Sequence, residues 1–277
     1  MKNKTLLCIV VLLALCSCDI NRVKQQEEES HTYQAAGYTR VEIETENGKI
    51  TSTAAQGDSV DVKLTKWATG SSEADAKAHI KDISISITDN ATSGKLRIFV
   101  DIPKDVYRAY GCDVTLTLPP AIYVNLVSSN GDIEARGHEA GFLLFTSNGA
   151  LSSNATKGRA DLTTSNGDIT AGSHSGDIDG VTANGSIDAE VVLPDTTGHC
   201  RLESSNGDVS AAIPASISAG ISLLTSNGSI IVDSALNITV TKDKDNIFEG
   251  TMGEPEDQGD IYCATSNGTV SLSRYAP

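Results

Sequence analysis

Aspartate side chains recur at a fixed position of a repeated motif, and they are the first candidates for chemistry. Asp132, Asp168 and Asp208 each follow an Asn-Gly pair, and aligned carboxylates are ligands that calcium prefers. Ala150 and Ser186 interrupt the column, so the carboxylates would stand roughly 9 Å or more apart at the spacing of neighbouring strands. We therefore interpret them as turn residues that bond local backbone, and we expect no metal site.

Two histidines could also ligate a metal. His138 and His174 each lie eight residues after a motif asparagine, and imidazole is a common metal ligand. Two coils of the repeat would separate them, which is too far to share an ion. We interpret both as surface loop residues.

The densest acidic cluster lies between residues 243 and 258. A calcium loop of EF-hand type would need Asp or Asn at 247 and Gly at 248, where this chain has Ile247 and Phe248. We interpret the segment as a solvated, mobile insertion. It is also the best candidate for a protruding functional loop, because binding is often placed on loops of a rigid scaffold.

Enzyme chemistry has little support in the sequence. No pair of carboxylates with a flanking base and no nucleophile with a His partner is visible, so we expect no catalytic residue and no cofactor. The net charge of −15 at pH 7 makes nucleic acid and anionic lipid surfaces poor partners. Aromatic residues make up only 4% of the chain, which argues against a stacking platform for sugars.

The elements that would position all these residues are the repeats. Copies of Ser-Asn-Gly-Asp-Ile recur from residue 128 to the C-terminus, first at steps of 18 residues and finally at a step of 40 that we interpret as two coils. Such repeats indicate stacked units. The predicted turn ladder consists of Asn130, Gly131, Asn148, Gly149, Asn166, Gly167, Asn184, Gly185, Asn206, Gly207, Asn227, Gly228, Asn267 and Gly268.

The columns around each asparagine define the fold class. Six and four residues before it the side chain is nearly always apolar, two before it is Ser or Thr, and three after it is Ile, Leu or Val. This alternation, broken at Asn-Gly, predicts strand, turn, strand. Hairpins would give an antiparallel sheet, but the constant period favours a chain that returns to the same register. We predict an all-β fold, a single-stranded parallel β-helix or β-roll with coils of about 18–22 residues, with positive φ at each turn glycine.

The N-terminus has the features of an exported protein. Lys2 and Lys4 precede an apolar run, so residues 1–17 are predicted to be a signal peptide. The tetrapeptide Leu15-Cys16-Ser17-Cys18 resembles the bacterial lipobox, and this resemblance implies a lipid on Cys18. It places the protein at the bacterial cell envelope, at the outer membrane, with the face undecided. An ordinary cleaved signal is the alternative. Residues 18–36 are polar and aperiodic and are predicted to be a flexible tether.

Residues 37–277 are predicted to form one domain. Its first part, 37–120, alternates as several strands and has a helix signature over 71–81, with Ser before acidic and Ala-rich residues. This part would cap the coils of 121–277. The thiols of Cys112, Cys200 and Cys263 are predicted to be free and buried, with Cys200 and Cys263 on non-adjacent coils.

The order of these features resembles a known family. A strand with Trp67, a short helix, an Ile-rich strand, a Leu-Pro boundary at Pro119 and SSNGDI-like coils are similar to the adhesin-like proteins of bacterial envelopes, of the DUF4097 type, related to head domains of autotransporter adhesins. The resemblance covers about 37–277. It implies a noncatalytic, lipid-anchored adhesin or surface-binding module with an unknown protein or glycan ligand. A structural or regulatory periplasmic component is the alternative, and a polysaccharide-active enzyme is less favoured.

Overall fold

The structure is a computed structural model that describes residues 22–105, 107–194, 197–253 and 259–275. Most of these residues are in strands, which belong to two large sheets of mixed strand direction with one short α-helix. None of the helices within the described ranges has the length and apolarity needed to cross a membrane. The predicted signal peptide and Cys18 lie outside the described residues. The chain divides into two compact units, residues 1–133 and 134–277.

The described part of the first unit contains eight strands before Ile133, one α-helix and one short 3-10 helix. The strands are β1 (Val23–Gln34), β2 (Arg40–Asn47), β3 (Ile50–Ala54), β4 (Ser59–Gly70), β5 (Ser84–Asn90), β6 (Lys95–Asp101), β7 (Tyr110–Leu118) and β8 (Tyr123–Asn130). Strands β1, β4 and β7 pair antiparallel, and β3 pairs parallel with β7. In the other sheet, β2 lies between β8 and β6 and is parallel to both, while β5 pairs antiparallel with β6.

The predicted helix over 71–81 is confirmed. Helix α1 (Glu73–His79) is followed by a 3-10 turn, Ile80–Asp82. The Ser72 side chain caps the helix by accepting a hydrogen bond from the backbone N–H of Asp75, as expected for a serine at this position. Arg108 donates to the Asp75 carboxylate at 2.9 Å and lowers its pKa, which ties the helix to the segment before β7.

The flexible tether predicted for residues 18–36 is wrong for residues 23–34, which form strand β1. All twelve of its residues pair with β4, from Val23 opposite Gly70 to Gln34 opposite Ser59. Lys63 and Lys66 on β4 pair with acidic side chains of β1. Polar residues are well suited to this strand because it is an edge strand with most side chains partly exposed, so it needs backbone partners rather than an apolar face.

Strand β9 (Ile133–Arg136) covers the boundary between the two units, and fourteen further strands follow it in the described part of the second unit. They are β10 (Phe142–Asn148), β11 (Leu151–Asn154), β12 (Ala160–Asn166), β13 (Ile169–Ser175), β14 (Ile178–Asn184), β15 (Ile187–Val192), β16 (His199–Asn206), β17 (Val209–Ile213), β18 (Ala219–Asn227), β19 (Ile230–Val232), β20 (Thr239–Lys244), β21 (Ile247–Met252), β22 (Gly259–Asn267) and β23 (Val270–Arg274). A 3-10 turn, Ser234–Leu236, follows β19.

The repeats of the second unit pair parallel and in register. Each copy contributes one strand before its Asn-Gly turn and one after it, to two different sheets. Strands β10, β12, β14, β16, β22 and β18 follow one another in one sheet, and β11, β13, β15, β17, β23 and β19 in the other. Asn148 pairs with Asn166 and Asn166 with Asn184, so the aligned columns of the sequence are columns in space.

The prediction of a parallel β-helix is met only in part, because the sheets are mixed. In the first unit, three of the pairings are antiparallel. In the second unit, β21 pairs antiparallel with β18 and with β20. The order of the last coils also differs from the chain order: β22 lies between β16 and β18, whereas a step of two coils would have placed it beyond β18.

The positive φ predicted at each turn glycine is found at Gly207 and Gly268 but not at Gly167 or Gly185, where a second reason for glycine applies. Gly167 has no positive φ, but a Cβ built on it would lie 1.9 Å from the carbonyl oxygen of Gly149 on the preceding coil. The same close approach occurs at Gly185, where the distance to the Gly167 oxygen is 2.0 Å. Glycine is therefore needed because the backbones of successive turns nearly touch, and the requirement comes from stacking.

The core lies between the two sheets and follows the predicted apolar columns. Leu144 and Leu162 are fully buried and pair in register. Leu202 and Cys263 are also fully buried and pair with each other further along the same row. Gly180 faces Leu162 and leaves room that the side chain of Leu202 fills, with its Cδ2 3.1 Å from where a Cβ on Gly180 would be. Apolar burial of this kind is the main stabilising term for the array.

Candidate functional site

The repeated polar side chains are used within the scaffold. The hydroxyl two residues before each asparagine donates to the carbonyl of the turn glycine on the neighbouring coil: Thr164 to Gly149 at 3.0 Å and Ser204 to Gly185 at 2.8 Å. The asparagines bond each other, with amide-to-oxygen distances of 2.9–3.1 Å along the order 148, 166, 184, 206, 267, 227. These contacts satisfy buried hydroxyls and leave the motif little capacity for a ligand.

The aspartates after Asn-Gly also bond backbone, but on the next coil rather than locally. Asp168 accepts from the N–H of Ser186 at 2.8 Å, and Asp208 accepts from the N–H of Thr269 at 2.7 Å. Asp132 has a partner as well. No group of three or more His, Cys, Asp and Glu side chains within the described ranges is arranged to hold a metal ion.

The prediction that His138 and His174 are surface loop residues is wrong, because both are fully buried. Thr156 lies in the same column as these two histidines, on the coil between them. Its hydroxyl is 2.9 Å from Nδ1 of His174. Nε2 of His174 is 3.0 Å from the carbonyl oxygen of Asp177. The ring of Phe142 packs between the two imidazoles. Burial lowers the pKa of His174, so this histidine is a neutral core residue.

Cys112, Cys200 and Cys263 are free and buried. The prediction that Cys200 and Cys263 lie on non-adjacent coils is wrong. Because β22 lies beside β16, Cys263 pairs with Leu202 two positions from Cys200. The Cys263 thiol and burial together raise the pKa of Cys200, and burial raises the pKa of Cys112 to about 12. Thiols of such high pKa are poor nucleophiles.

The acidic segment is not an irregular insertion in its described part. Residues 239–252 form the hairpin β20–β21, which pairs with β18 along six residues from Ala219 to Leu224. The carbonyl of Asn246 at the tip accepts from the N–H of Thr225 at 3.1 Å. Residues 254–258 of the segment lie outside the described residues. The hairpin therefore extends the sheet beyond the edge of β18.

Next to this hairpin, the face of the sheet that points away from the core contains a depression of about 460 Å³. Its floor is one row of outward side chains across four paired strands, all half-buried: Val181 on β14, Glu203 on β16, Ala264 on β22 and Leu224 on β18. Ala264 is the smallest of the four, which is why the row is hollow at its centre. Ser205, Ser226 and Ser266 line one side, and Asn246 and Ile247 of the hairpin tip line the end.

Glu203 lines the depression, and further charged side chains lie near it on the same sheet. Arg201 lies one row away from Glu203 on the same strand, and its guanidinium contacts Glu203 at 2.8 Å and Asp179 at 3.4 Å. The side chains of His199 and Asp260 form a hydrogen bond at the exposed end of β16 and β22. These surface pairs contribute little to stability because they are partly solvated, and their donors and acceptors remain within reach of a ligand.

Tyr262 is the aromatic residue that lines this depression. It lies between Arg201 and Ser222 in the row next to Ala264, and it lines both the first depression and a second one of about 310 Å³. Gly220 and Gly250 form part of the second depression, where the absence of side chains leaves the ring side uncovered. Tyr262 is therefore a half-buried ring with open space on two sides, fixed on a paired central strand.

This arrangement can bind a ligand through ring contact and hydrogen bonds. A fixed aromatic ring offers a flat apolar surface, and the surrounding carboxylates, guanidinium, amide and hydroxyls offer directional hydrogen bonds. The low aromatic content of the sequence does not point to Tyr262 as a binding residue. The signal was positional: Tyr262 is outward-facing, five residues before Asn267, at the position that Arg201 occupies before Asn206.

Comparisons with known proteins show similarity to solved structures only. No family model matches the chain, and no curated protein matches it. A candidate cell adhesion protein from Clostridium sporogenes is similar with 11% identity and a TM-score of 0.38, covering 90% of this chain and 100% of the other. A candidate adhesin from Bacteroides fragilis has 13% identity and a TM-score of 0.37, covering 90% and 97%.

A third solved structure has a different description. It is a candidate lipid binding protein from Parabacteroides distasonis, with 9% identity, a TM-score of 0.29, and 90% of this chain and 97% of the other covered. Identities and TM-scores this low support no inference about the function of this chain.

Proposed function

We propose that this protein is a noncatalytic surface-binding module, an adhesin in the broad sense, whose contact surface is the outer face around Tyr262. The supporting observation is that the repeated and the non-repeated side chains have different roles. The repeated Thr, Ser and Asn side chains bond neighbouring coils, while the non-repeated outward side chains gather at one depression beside a hairpin. A rigid scaffold with a local, irregular patch is the usual design of a binding protein.

The ligand that fits this patch is a glycan. A sugar ring has an apolar face of C–H groups and an edge of hydroxyls, so it matches a tyrosine ring bordered by Glu203, Arg201 and Asn246. The depression of about 460 Å³ is within the usual size range of small-ligand sites. The depressions on both sides of Tyr262 suit successive sugar units of a chain.

The proposal extends to the architecture and location of the whole chain. The parallel, in-register copies of the second unit support coils of a parallel β-helix. The lipobox resemblance of residues 15–18 supports a lipid on Cys18 and a place in the bacterial envelope, at the outer membrane, among the adhesin-like proteins. A structural or regulatory envelope role is the alternative, and it predicts no ligand at Tyr262.

A glycan array tests the binding function. The wild-type chain and two variants, Tyr262→Ala and Tyr107→Ala, would be applied to an array of neutral and acidic bacterial, plant and animal glycans. Tyr107 is the matched control because its ring is 78% exposed in the first unit. We expect the wild-type chain and Tyr107→Ala to bind the same glycan, and Tyr262→Ala to bind it about tenfold more weakly, since an aromatic contact is worth about 1 kcal/mol beyond its buried area.

Two results would contradict the proposal. If Tyr262→Ala binds as tightly as the wild-type chain, Tyr262 is not part of the binding site. If the wild-type chain binds no glycan on the array, the ligand is not a glycan. Circular dichroism of each variant before the array shows that the fold is intact, so that a loss at Tyr262 is a loss of contact.

A further inference from the structure

The last coil of the chain is not at the end of the array. Strands β22 and β23, residues 259–274, will be called the C-terminal coil. β22 pairs parallel with β16 on one side and with β18 on the other, and β23 pairs with β17 and β19 in the same way. The C-terminal coil therefore lies in space between two coils, β16–β17 and β18–β19, that both precede it in the sequence.

Both neighbours hold the C-terminal coil by the same contacts. Asn267 donates its amide to Asn206 at 2.9 Å and accepts from the amide of Asn227 at 3.1 Å. Thr265 donates to the carbonyl of Gly207 at 2.8 Å. On the other side, Thr225 donates to Gly268 at 2.9 Å. The coil thus fills a slot with two complementary walls, β16–β17 and β18–β19.

The two walls are also complementary to each other. Cys200 and Ile221 both pair with Ile261, Leu202 and Leu223 both pair with Cys263, and Asn206 and Asn227 both pair with Asn267. Without the C-terminal coil, Asn227 would be in register to bond Asn206, and Thr225 to bond Gly207. Release of the coil therefore does not leave two unpaired edges, because the walls can pair with one another. This pairing lowers the free-energy cost of release.

We propose that the slot between β16–β17 and β18–β19 is a strand-acceptor site, and that its partner in trans is the C-terminal coil of a second copy of this chain. A second copy offers the same side chains in the same register, so the contacts made in trans equal those made in cis. Exchange of an identical element is a low-cost route to dimers.

Cysteine pairs introduced into the asparagine ladder test the exchange in the full chain. A ¹⁵N-labelled chain carrying Asn206→Cys is mixed with an unlabelled chain carrying Asn267→Cys, held at high concentration, and oxidised. These two positions face each other on paired strands, within the separation that a disulfide requires. Mass spectrometry of linked peptides then identifies a bond between residues 206 and 267, whether the two peptides come from different chains, and whether a native cysteine took part.

The matched control is the pair Asn148→Cys and Asn166→Cys. These asparagines have the same contact, at 2.9 Å, but lie on coils that follow each other directly in the chain. We expect the 206–267 pair to give about tenfold more disulfide linkage between a labelled and an unlabelled chain than the control pair, because the proposed exchange moves only the C-terminal coil. A chain with both Asn206→Cys and Asn267→Cys should close within itself when dilute.

Each outcome decides the proposal. The exchange would be overturned if disulfides between labelled and unlabelled chains are no more frequent at 206–267 than at 148–166. Failure of the dilute double variant to close would overturn the placement of β22 beside β16, and with it the slot. Both results are independent of any glycan at Tyr262.

Discussion

Leu162 is the position at which a substitution should damage the array most. It is fully buried and pairs with Leu144 on one side and Gly180 on the other. Leu162→Asp removes the apolar side chain and places a carboxylate between two coils. Asp168 provides the matched control, since it is six residues further along the same coil and accepts one bond from the N–H of Ser186 at 2.8 Å. An asparagine oxygen at 168 can accept the same bond.

The magnitude follows from burial. Truncation of a buried leucine costs about 2–5 kcal/mol, with the upper values where the surroundings cannot collapse. A carboxylate at the same place must either ionise without a partner or stay protonated at neutral pH, and a pKa raised by about three units corresponds to roughly 4 kcal/mol. The sum, roughly 6–9 kcal/mol, is comparable to the whole stability of a typical domain. Asp168→Asn should change the free energy of unfolding by about 0.5 kcal/mol.

Urea unfolding followed by circular dichroism of the strands measures both effects. Circular dichroism is the suitable signal because the single tryptophan of the chain, Trp67, lies in the first unit. We expect Leu162→Asp to lack a cooperative transition of the second unit, Leu162→Ala to lower its midpoint with an unchanged slope, and Asp168→Asn to follow the wild-type curve. Equal midpoints for Leu162→Ala and Asp168→Asn would refute the assignment of the buried columns.

Two further predictions test the turns and the buried histidine. Gly167→Ala should destabilise the protein by about 1–3 kcal/mol in urea unfolding because its Cβ would meet the Gly149 oxygen; Gly57→Ala, which has open space, should leave the midpoint within about 0.5 kcal/mol, and equal midpoints would contradict the close approach. Burial holds the pKa of His174 below its usual 6.5, so below that pH the unfolded chain binds a proton that the native chain does not. The free energy of unfolding should then fall as the pH falls, by up to about 1.4 kcal/mol per pH unit. His174→Gln should flatten this slope, and a slope equal to that of the wild-type chain would contradict the burial of a neutral imidazole.

The residue columns could be predicted from sequence because they depend on local pattern. Alternation and the Asn-Gly pairs are properties of each copy, and copies in register bury the same positions, as Leu144 and Leu162 show. Helix α1 could be predicted for the same reason, since its capping serine and Ala-rich run are adjacent in the chain.

The order of the last coils could not be predicted, because every copy carries the same columns. A coil of residues 219–232 or 259–274 fits equally well against β16–β17, and only the hairpin β20–β21 on the outer side of β18 distinguishes them. A sequence step of 40 residues contains no information about which side the chain returns to. The adjacency of Cys200 and Cys263 was missed for the same reason.

Other features were missed because they depend on partners distant in sequence. Strand β1 has no apolar alternation and is a strand only because β4 offers a full set of backbone partners. His174 looks like a loop residue until Thr156 and the carbonyl of Asp177 are placed around it. Tyr262 becomes a candidate contact residue only when β22 lies between Glu203 and Leu224.

Accessibility of the folded chain on intact cells tests the surface-binding role most directly. Protease digestion and antibody labelling of residues 37–277 would be compared on intact and lysed cells, with a known periplasmic protein as the control for envelope integrity. Our account predicts cleavage and labelling on intact cells. Protection of the chain until lysis, while the periplasmic control is also protected, would contradict an adhesin and favour a structural or regulatory component inside the envelope.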